Sequence, residues 1–598
     1  MASTTISSGG AASVIIKTGG APISGSVMVY SVEVEKRVNR ISRALIVIID
    51  GDPDTGLFAV SSSSTFVPGA TITIEAGYDN SNQVIFSGIV TGQSLRIDPE
   101  IGAALEVECC DAAVAMSVGR KSLTYPEKSD SDVISSIIGN YPGLTANVAS
   151  TATVWPEQVQ YYVTDWDFIL SIAETNGMVV TTLNGTVSVI APGADTTSVL
   201  IVNYGDQLME FNASLNAVNQ LGNVSATSWD YQNQAIVTAQ ATPTVAGPGN
   251  LSSSTLAQVL GLADYPLLTS APLQTADLTN WSKAQLVKSE YSKITGEAKF
   301  QGTALAETGK YITLGGIGDR FNGDHFISGV VHTISDGNWL TEVSIGLSPK
   351  WIAEEPDLMS PPAAGLIPGA RGLFNGTVKK IFDDPGNQYR ILVEVPLFDP
   401  ASTGIWARLS NFYSTNNAGA FFLPEVGDEV LLGFLNEDPR YPVILGSMYS
   451  GSNNQPYSTL LPNEKNQFKA IVSKSGIYIQ FDDVDKVLTI TTPSNNIVTL
   501  DDKQKQISIN DQNGNSVVMS DSGIALNSPK DITIQATQKL NLSGDQGINI
   551  QSSGGDVTVS GVNIKETANV QYSAAGSATA QVNGGGELTL KGGMVMIN

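Results

Sequence analysis

The chain has 598 residues and a net charge of −25; 42% of its residues are hydrophobic, only 15% are charged, and 58 are glycine. That length suggests roughly four domains. The charge content lies below the roughly 25% of ordinary soluble domains, and with so much glycine it favours long β structure with many turns over helical bundles. An acidic surface opposes contact with nucleic acid and with anionic lipid.

Residues 1–24 are rich in Ser, Gly and Ala and read as a polar N-terminal segment. They lack the basic start and apolar core of a secretory signal, and no run approaches the length of a membrane-spanning helix. Cys109 and Cys110 are the two cysteines and are neighbours, so no disulfide framework is expected and folding in a reducing cytoplasm is. The expectation is cytoplasmic assembly, with export by a route other than general secretion and no stable membrane insertion.

Residues 25–365 predict a hub of strands with a few helices. Val27–Glu35, Ala44–Asp50, Thr71–Ala76 and Val84–Val90 are β-rich runs between turn residues, followed later by Tyr311–Leu314, His325–Thr333 and Glu342–Leu347. Asp132–Ile138 and Asp165–Asn176 predict helices; in the second, Phe168, Ile169, Ile172 and Ala173 share a face and Gly177 ends it. Pro361, Pro362, Gly365, Pro368 and Gly369 mark a linker.

Residues 366–455 hold five short strands, Gly372–Ile381, Tyr389–Val395, Ile405–Leu409, Glu429–Phe434 and Val443–Leu445, which fits a small OB-type barrel. After a connector at 456–475, residues 476–598 repeat. Ile477, Val487, Ile497, Ile507 and Val517 stand ten apart; Ile524, Ile532, Leu540 and Ile548 stand eight apart, and Val557 follows. A fixed step of short strand plus turn predicts a β-solenoid. So thin a ribbon cannot bury its own apolar face, and its edges stay unpaired. Three chains, each giving one side of a prism, close it, so a homotrimer is expected.

Candidate chemistry is sparse. His325 and His332 are seven apart on one strand, which strict alternation places on opposite faces, so no shared metal or triad is expected. No H-E-x-x-H, G-x-S-x-G or P-loop pattern occurs. Gly315-Gly316-Ile317-Gly318 reads as a turn. Asp50-Gly51-Asp52-Pro53-Asp54 lacks the closing Glu of a calcium loop and also reads as a turn. Cys109 and Cys110 end the strand Leu105–Cys110 and read as inert thiols. The barrel aromatics Tyr389, Phe398, Trp406, Phe412 and Tyr413 lack the basic neighbours that single-strand binding needs. No catalytic residue, cofactor or metal is expected, and the chain does not read as an enzyme.

Three stretches resemble the VgrG family, the spikes of type VI secretion and phage-tail-like injection systems. The first comprises Phe66-Val67-Pro68-Gly69, Phe86-Ser87-Gly88-Ile89-Val90 and Tyr162-Val163-Thr164-Asp165-Trp166-Asp167-Phe168. The second is the barrel run Leu423-Pro424-Glu425-Val426-Gly427-Asp428-Glu429-Val430, with Asp438-Pro439-Arg440-Tyr441-Pro442-Val443 after it. The third is the repeat tail ending Lys591-Gly592-Gly593. The resemblance implies a hub of two barrel-like subdomains per chain, an OB collar and a triple-stranded β-helix needle. It implies as partners an inner tube protein, baseplate proteins, a PAAR-type tip protein and effector cargo. Met594, Val595, Met596, Ile597 and Asn598 would dock the tip. The alternatives are a hidden envelope-degrading hydrolase and a trimeric surface adhesin.

Overall fold

The computed structural model describes residues 10–79, 81–99, 101–244, 247–355, 358–399, 403–451, 454–457, 460 and 462–597. The chain is mainly β and divides into two compact units, 1–448 and 449–598.

A 13-stranded sheet organises the first unit. From one edge it runs Leu208–Leu215, Ile294–Gln301, Asn338–Ile345, Gly323–Ser335, Met28–Arg37, Arg43–Ile49, Gly102–Cys110, Ser81–Asp98, Thr71–Tyr78, Ala12–Thr18 and Ala21–Pro22. Tyr311–Gly315 joins it beside Gly323–Ser335, and Ser198–Asn203 pairs with Tyr311–Gly315. Period-two alternation sets the buried side: in Arg43–Ile49, Ala44, Ile46 and Ile48 are buried while the residues between them are not. Two apolar cores result. One gathers Val34, Ile46, Ile72, Phe86 and Val107; the other gathers Leu200, Phe300, Ile312, Val330 and Val343. Met28–Arg37 and Gly323–Ser335, paired antiparallel, join the two halves.

The reading of 1–24 as a polar segment is corrected here. Ala12–Thr18 is a sheet strand, paired residue for residue with Thr71–Tyr78 from Ala12↔Tyr78 to Thr18↔Ile72. The β-branched run Val14-Ile15-Ile16 outweighs its Ser/Gly surroundings, and Ile16 reaches the core.

Both expected helices form, as Asp130–Ile138 and Asp165–Thr175. Each is opened by a hydroxyl cap: the Ser129 Oγ accepts from the Asp132 N–H at 3.2 Å, and the Thr164 Oγ1 accepts from the Asp167 N–H at 3.1 Å. The longest helix, Thr275–Tyr291, was not expected. Its buried side mixes Leu278, Ala284 and Leu286 with Ser282, Gln285 and Ser289, so no apolar stripe announces it.

The barrel forms as expected. Phe374–Lys380, Ile391–Glu394, Ile405–Leu409, Pro442–Ser447 and Glu429–Phe434 close in that order around Val378, Ile391, Val393, Ala407, Val430, Leu432 and Ile444. Gly376 lies where two walls touch: a Cβ there would sit 2.5 Å from Val393 Cγ1 and 2.7 Å from Leu432 Cδ1. Gly376→Val should therefore overpack the barrel and cost about 3 kcal/mol. Urea titration of the full chain checks this, and an unchanged midpoint would contradict the packing.

The second unit is a seven-stranded antiparallel meander in chain order: Phe468–Val472, Tyr478–Asp482, Val487–Thr491, Ile497–Asp501, Gln506–Asn510, Ser516–Ser520 and Gly523–Asn527. The ten-residue step is thus a five-residue strand and a turn that reverses the chain. Within one chain the repeats zigzag. From 528 to 597 the described residues form no strand ladder within the chain.

Candidate interaction surfaces

Register turns the meander into a two-faced ribbon. Cross-strand partners share a face, as do residues two apart along a strand. Ile471, Ile479, Ile490, Val498, Ile509, Val517 and Leu526 are successive partners and make one apolar column. Phe481, Leu488, Leu500, Ile507, Met519 and Ile524 make a second column two residues away on the same face. The middle of the opposite face carries Gln480, Thr489, Thr499 and Ser508. The ten-residue marks do not all share a face: Ile507 and Val517 lie on the apolar one, whereas Val487 pairs with Asp501 and Ile497 with Thr491 on the other.

That apolar face is uncovered. Exposure runs from 38% at Ile490 to 72% at Ile524 among its more exposed members. Seven strands about 4.8 Å apart and five residues long present a face of about 500 Å², at the size where an apolar patch marks a contact surface. Beyond it, Ile532 and Ile534, Leu540 and Leu542, Ile548 and Ile550, Val557 and Val559, and Leu588 and Leu590 are all more than half exposed. Backbone without ladder partners beside repeated exposed apolar pairs is not stable alone in water. Of the expected tip residues, Met594, Val595, Met596 and Ile597 are exposed; Asn598 lies outside the described residues.

The run Leu423–Val430 builds the barrel wall. Pro424 and Val430 are buried, and Leu423 packs on the core. Gly427 has φ +97°, which an L side chain resists; its N–H donates to the Val378 carbonyl at 2.9 Å, and the Asp428 carboxylate accepts from the Glu425 N–H at 2.9 Å. The geometry accounts for Gly427 and Asp428 as turn formers leading into the strand Glu429–Phe434. The barrel exposes Tyr389, Phe412, Phe421 and Phe422. Phe398 is 43% exposed and packs one side against Phe374 and Phe434, ring centroids 5.1 and 5.6 Å away.

The remaining candidates are structural. Cys109 is buried, and burial pushes its thiol up to about 12. The Asp50 carboxylate accepts from the Val60 and Ser61 N–H groups, and Asp52 from the Asp54 N–H and the Thr55 hydroxyl, closing a turn. The two histidines need a correction. An extra residue between Ile327 and Gly329 offsets the ladder against Asn338–Ile345, so His325 and His332 fall on the same side of their strand. They still serve separate contacts: His325 Nε2 donates to the Phe321 carbonyl at 2.7 Å, and His332 Nδ1 meets the Thr341 hydroxyl at 2.9 Å. Burial holds both imidazoles below the usual value, and thus neutral. Among the described residues no group of three or more His, Cys, Asp or Glu could hold a metal, and no helix is long and apolar enough to cross a membrane.

Comparison with known proteins agrees with this architecture. Residues 8–336 match the family described as the Alg8 N-terminal domain, and residues 374–449 match the type VI secretion system/phage-baseplate injector OB domain. The type VI secretion system spike protein VgrG1a of Pseudomonas aeruginosa is 29% identical over 83 residues, 14% of this chain and 13% of the relative. The spike protein VgrG3 of Vibrio cholerae is 38% identical over 60 residues, 10% of this chain and 6% of the relative. The chain therefore spans only a small part of these relatives' lengths. Among solved structures, a tail protein from Neisseria meningitidis covers 58% of this chain and 99% of its own, with 14% identity and a TM-score of 0.43. An Escherichia coli component of the type VI secretion system covers 72% and 99%, with 13% identity and a TM-score of 0.37. With more than half its length matched by one family and its barrel by another, the chain belongs to the Alg8 N-terminal domain family and carries the injector OB domain of VgrG-type spike proteins.

Proposed function

We propose that this protein is the structural central spike of a contractile injection system and works as a homotrimer. The observation that carries the proposal is the uncovered double column of apolar side chains on one face of the ribbon. Three such faces turned inward make a closed prism with a dry core, while the Gln480, Thr489 and Thr499 side meets water. Unfolding one chain then requires opening all three, which favours slow, kinetically governed loss of structure. That suits a part loaded mechanically as it crosses an envelope. The hub would join an inner tube and baseplate, and the exposed Met594–Ile597 segment would seat a PAAR-type tip protein with its effector cargo. In this reading the spike works by mechanics, with no catalytic step. Light scattering on the purified full chain should give a mass of three chains at every concentration down to the nanomolar range. A monomer mass would end the proposal.

A further inference from the structure

A cleft of about 720 Å³ opens in the hub where the turn between Met28–Arg37 and Arg43–Ile49 meets the helices Asp165–Thr175 and Thr275–Tyr291 and the segment 347–355. Its floor is apolar: Ile41, Met178, Val287, Leu347 and Ile352 line it and are only partly buried. Five of the lining residues are cations and four are anions. In the whole chain the order is reversed, with 57 acidic residues against 32 basic ones.

Most of the acid there is already used. Glu174 is paired with Lys288, and its Oε2 accepts from the Ile352 N–H at 2.7 Å. Lys288 also donates to the Lys350 carbonyl at 2.5 Å, and the Trp351 indole donates to Gln285 Oε1 at 2.7 Å. These bonds pin 350–352 across both helices, so the cleft is formed before anything enters it. Asp167 accepts from the Thr164 hydroxyl at 2.6 Å at the start of its helix. Glu35 is shared: one oxygen accepts from Arg37 Nε and the other from Arg43 Nε, each at 2.5 Å. Two guanidiniums therefore converge on one carboxylate and leave one positive charge over. Arg40 and Lys350 are exposed on the rim and make no ion pair among the described residues; Glu355 is the one lining acid in the same condition.

We propose that this cleft docks a short acidic segment of a partner protein, with an apolar side chain on the floor and carboxylates at Arg40, Lys350 and the converging guanidiniums of Arg37 and Arg43. The guanidinium fork matches a carboxylate in shape and charge. Nucleic acid and anionic membranes also offer oxyanions, but as long arrays of charge that a chain of −25 repels. A short acidic segment brings few charges and supplies the apolar anchor that the floor calls for. The cleft is complete within one chain, so its occupancy is independent of trimer formation.

Fluorescence anisotropy of the full chain tests this with dye-labelled hexapeptides that carry two glutamates and two leucines or phenylalanines in every order. Acidic members should bind, their glutamine counterparts should not, and added salt should weaken the binding. Arg40→Glu and Lys350→Glu should each weaken it about tenfold or more, because each sets a like charge against the ligand. Both positions are exposed, so the variants should fold as the wild type does. Lys503→Glu makes the same change of charge on the ribbon and should leave binding unaltered. Failure of every acidic member, equal binding of the glutamine series, or an equal loss in Lys503→Glu overturns the proposal. Binding of oligothymidylate or of phosphatidylserine vesicles in place of the peptides, abolished by Arg40→Glu, overturns it as well.

Discussion

Ile490→Asp combined with Ile509→Asp should turn the proposed trimer into monomers. Both residues stand in the first apolar column, joined through Val498, and both are partly open to water in the single chain. In one chain alone the change is therefore mild, because aspartates on an exposed ribbon stay hydrated. In a closed prism the same positions face a dry core. Six carboxylates would enter it per trimer, each unpaired and each costing several kcal/mol, far more than the remaining contacts could offset. Light scattering reads the outcome as a mass of one chain. Thr499→Asp is the control, since Thr499 belongs to the opposite face, and it should leave the trimer intact. A trimer that survives the double substitution would show that the chains associate elsewhere and that this face stays wet.

How much of this was legible from residues alone depended on where the information resides. The barrel was read almost strand for strand because its walls are short alternating runs, and Gly427-Asp428 carry their own turn chemistry. Phe168, Ile169, Ile172 and Ala173 share a face, so the helix Asp165–Thr175 was found to within a residue, and Asp130–Ile138 was found to within two. The helix Thr275–Tyr291 escaped because its buried side is half polar; Gln285 takes the indole proton of Trp351 and Ser289 that of the Leu221 amide. Those partners lie 66 and 68 residues away, and no local pattern can announce them. The strand Ala12–Thr18 was missed for the opposite reason, since composition averaged over 24 residues hid the run Val14-Ile15-Ile16. The histidines show a third limit. A single bulged residue between Ile327 and Gly329 reverses a parity argument, and bulges depend on the partner strand. In the ribbon the step length was plain, but which apolar residues share a face required the register.

Asp165, within the run that first suggested the family, also anchors the hub. It is 2% exposed and accepts from the Lys121 ammonium and the Tyr141 hydroxyl, each at 2.6 Å, and from the Gln160 side-chain amide at 2.8 Å. Gln160 in turn takes the Tyr125 hydroxyl proton at 2.9 Å, tying the ribbon of Arg120–Ser129 and Val154–Thr164 to the helix that begins at Asp165. All three partners donate, so the position requires an acceptor. Asp165→Ala should cost the hub about 2–3 kcal/mol, the scale for losing hydrogen bonds to a charged acceptor, and less than a fully buried pair would cost because the Lys121 side chain is 40% exposed and water can take up its ammonium. Asp165→Asn should recover little, because its amide would turn donors toward Gln160 or Lys121. Burial pushes the carboxyl up, but the bonds from Gln160, Lys121 and Tyr141 outweigh it and hold the group below the usual range, while the same contact pushes Lys121 up to about 12. A depressed folded-state value means that this stabilisation is complete above the unfolded carboxyl value and disappears as pH falls through the folded one. Urea titrations followed by fluorescence of buried Trp166, the residue after Asp165, measure both effects. The wild type should lose stability on acidification more steeply than Asp165→Asn. Parallel acid curves for the two would mean that the carboxylate is not the charge these donors hold.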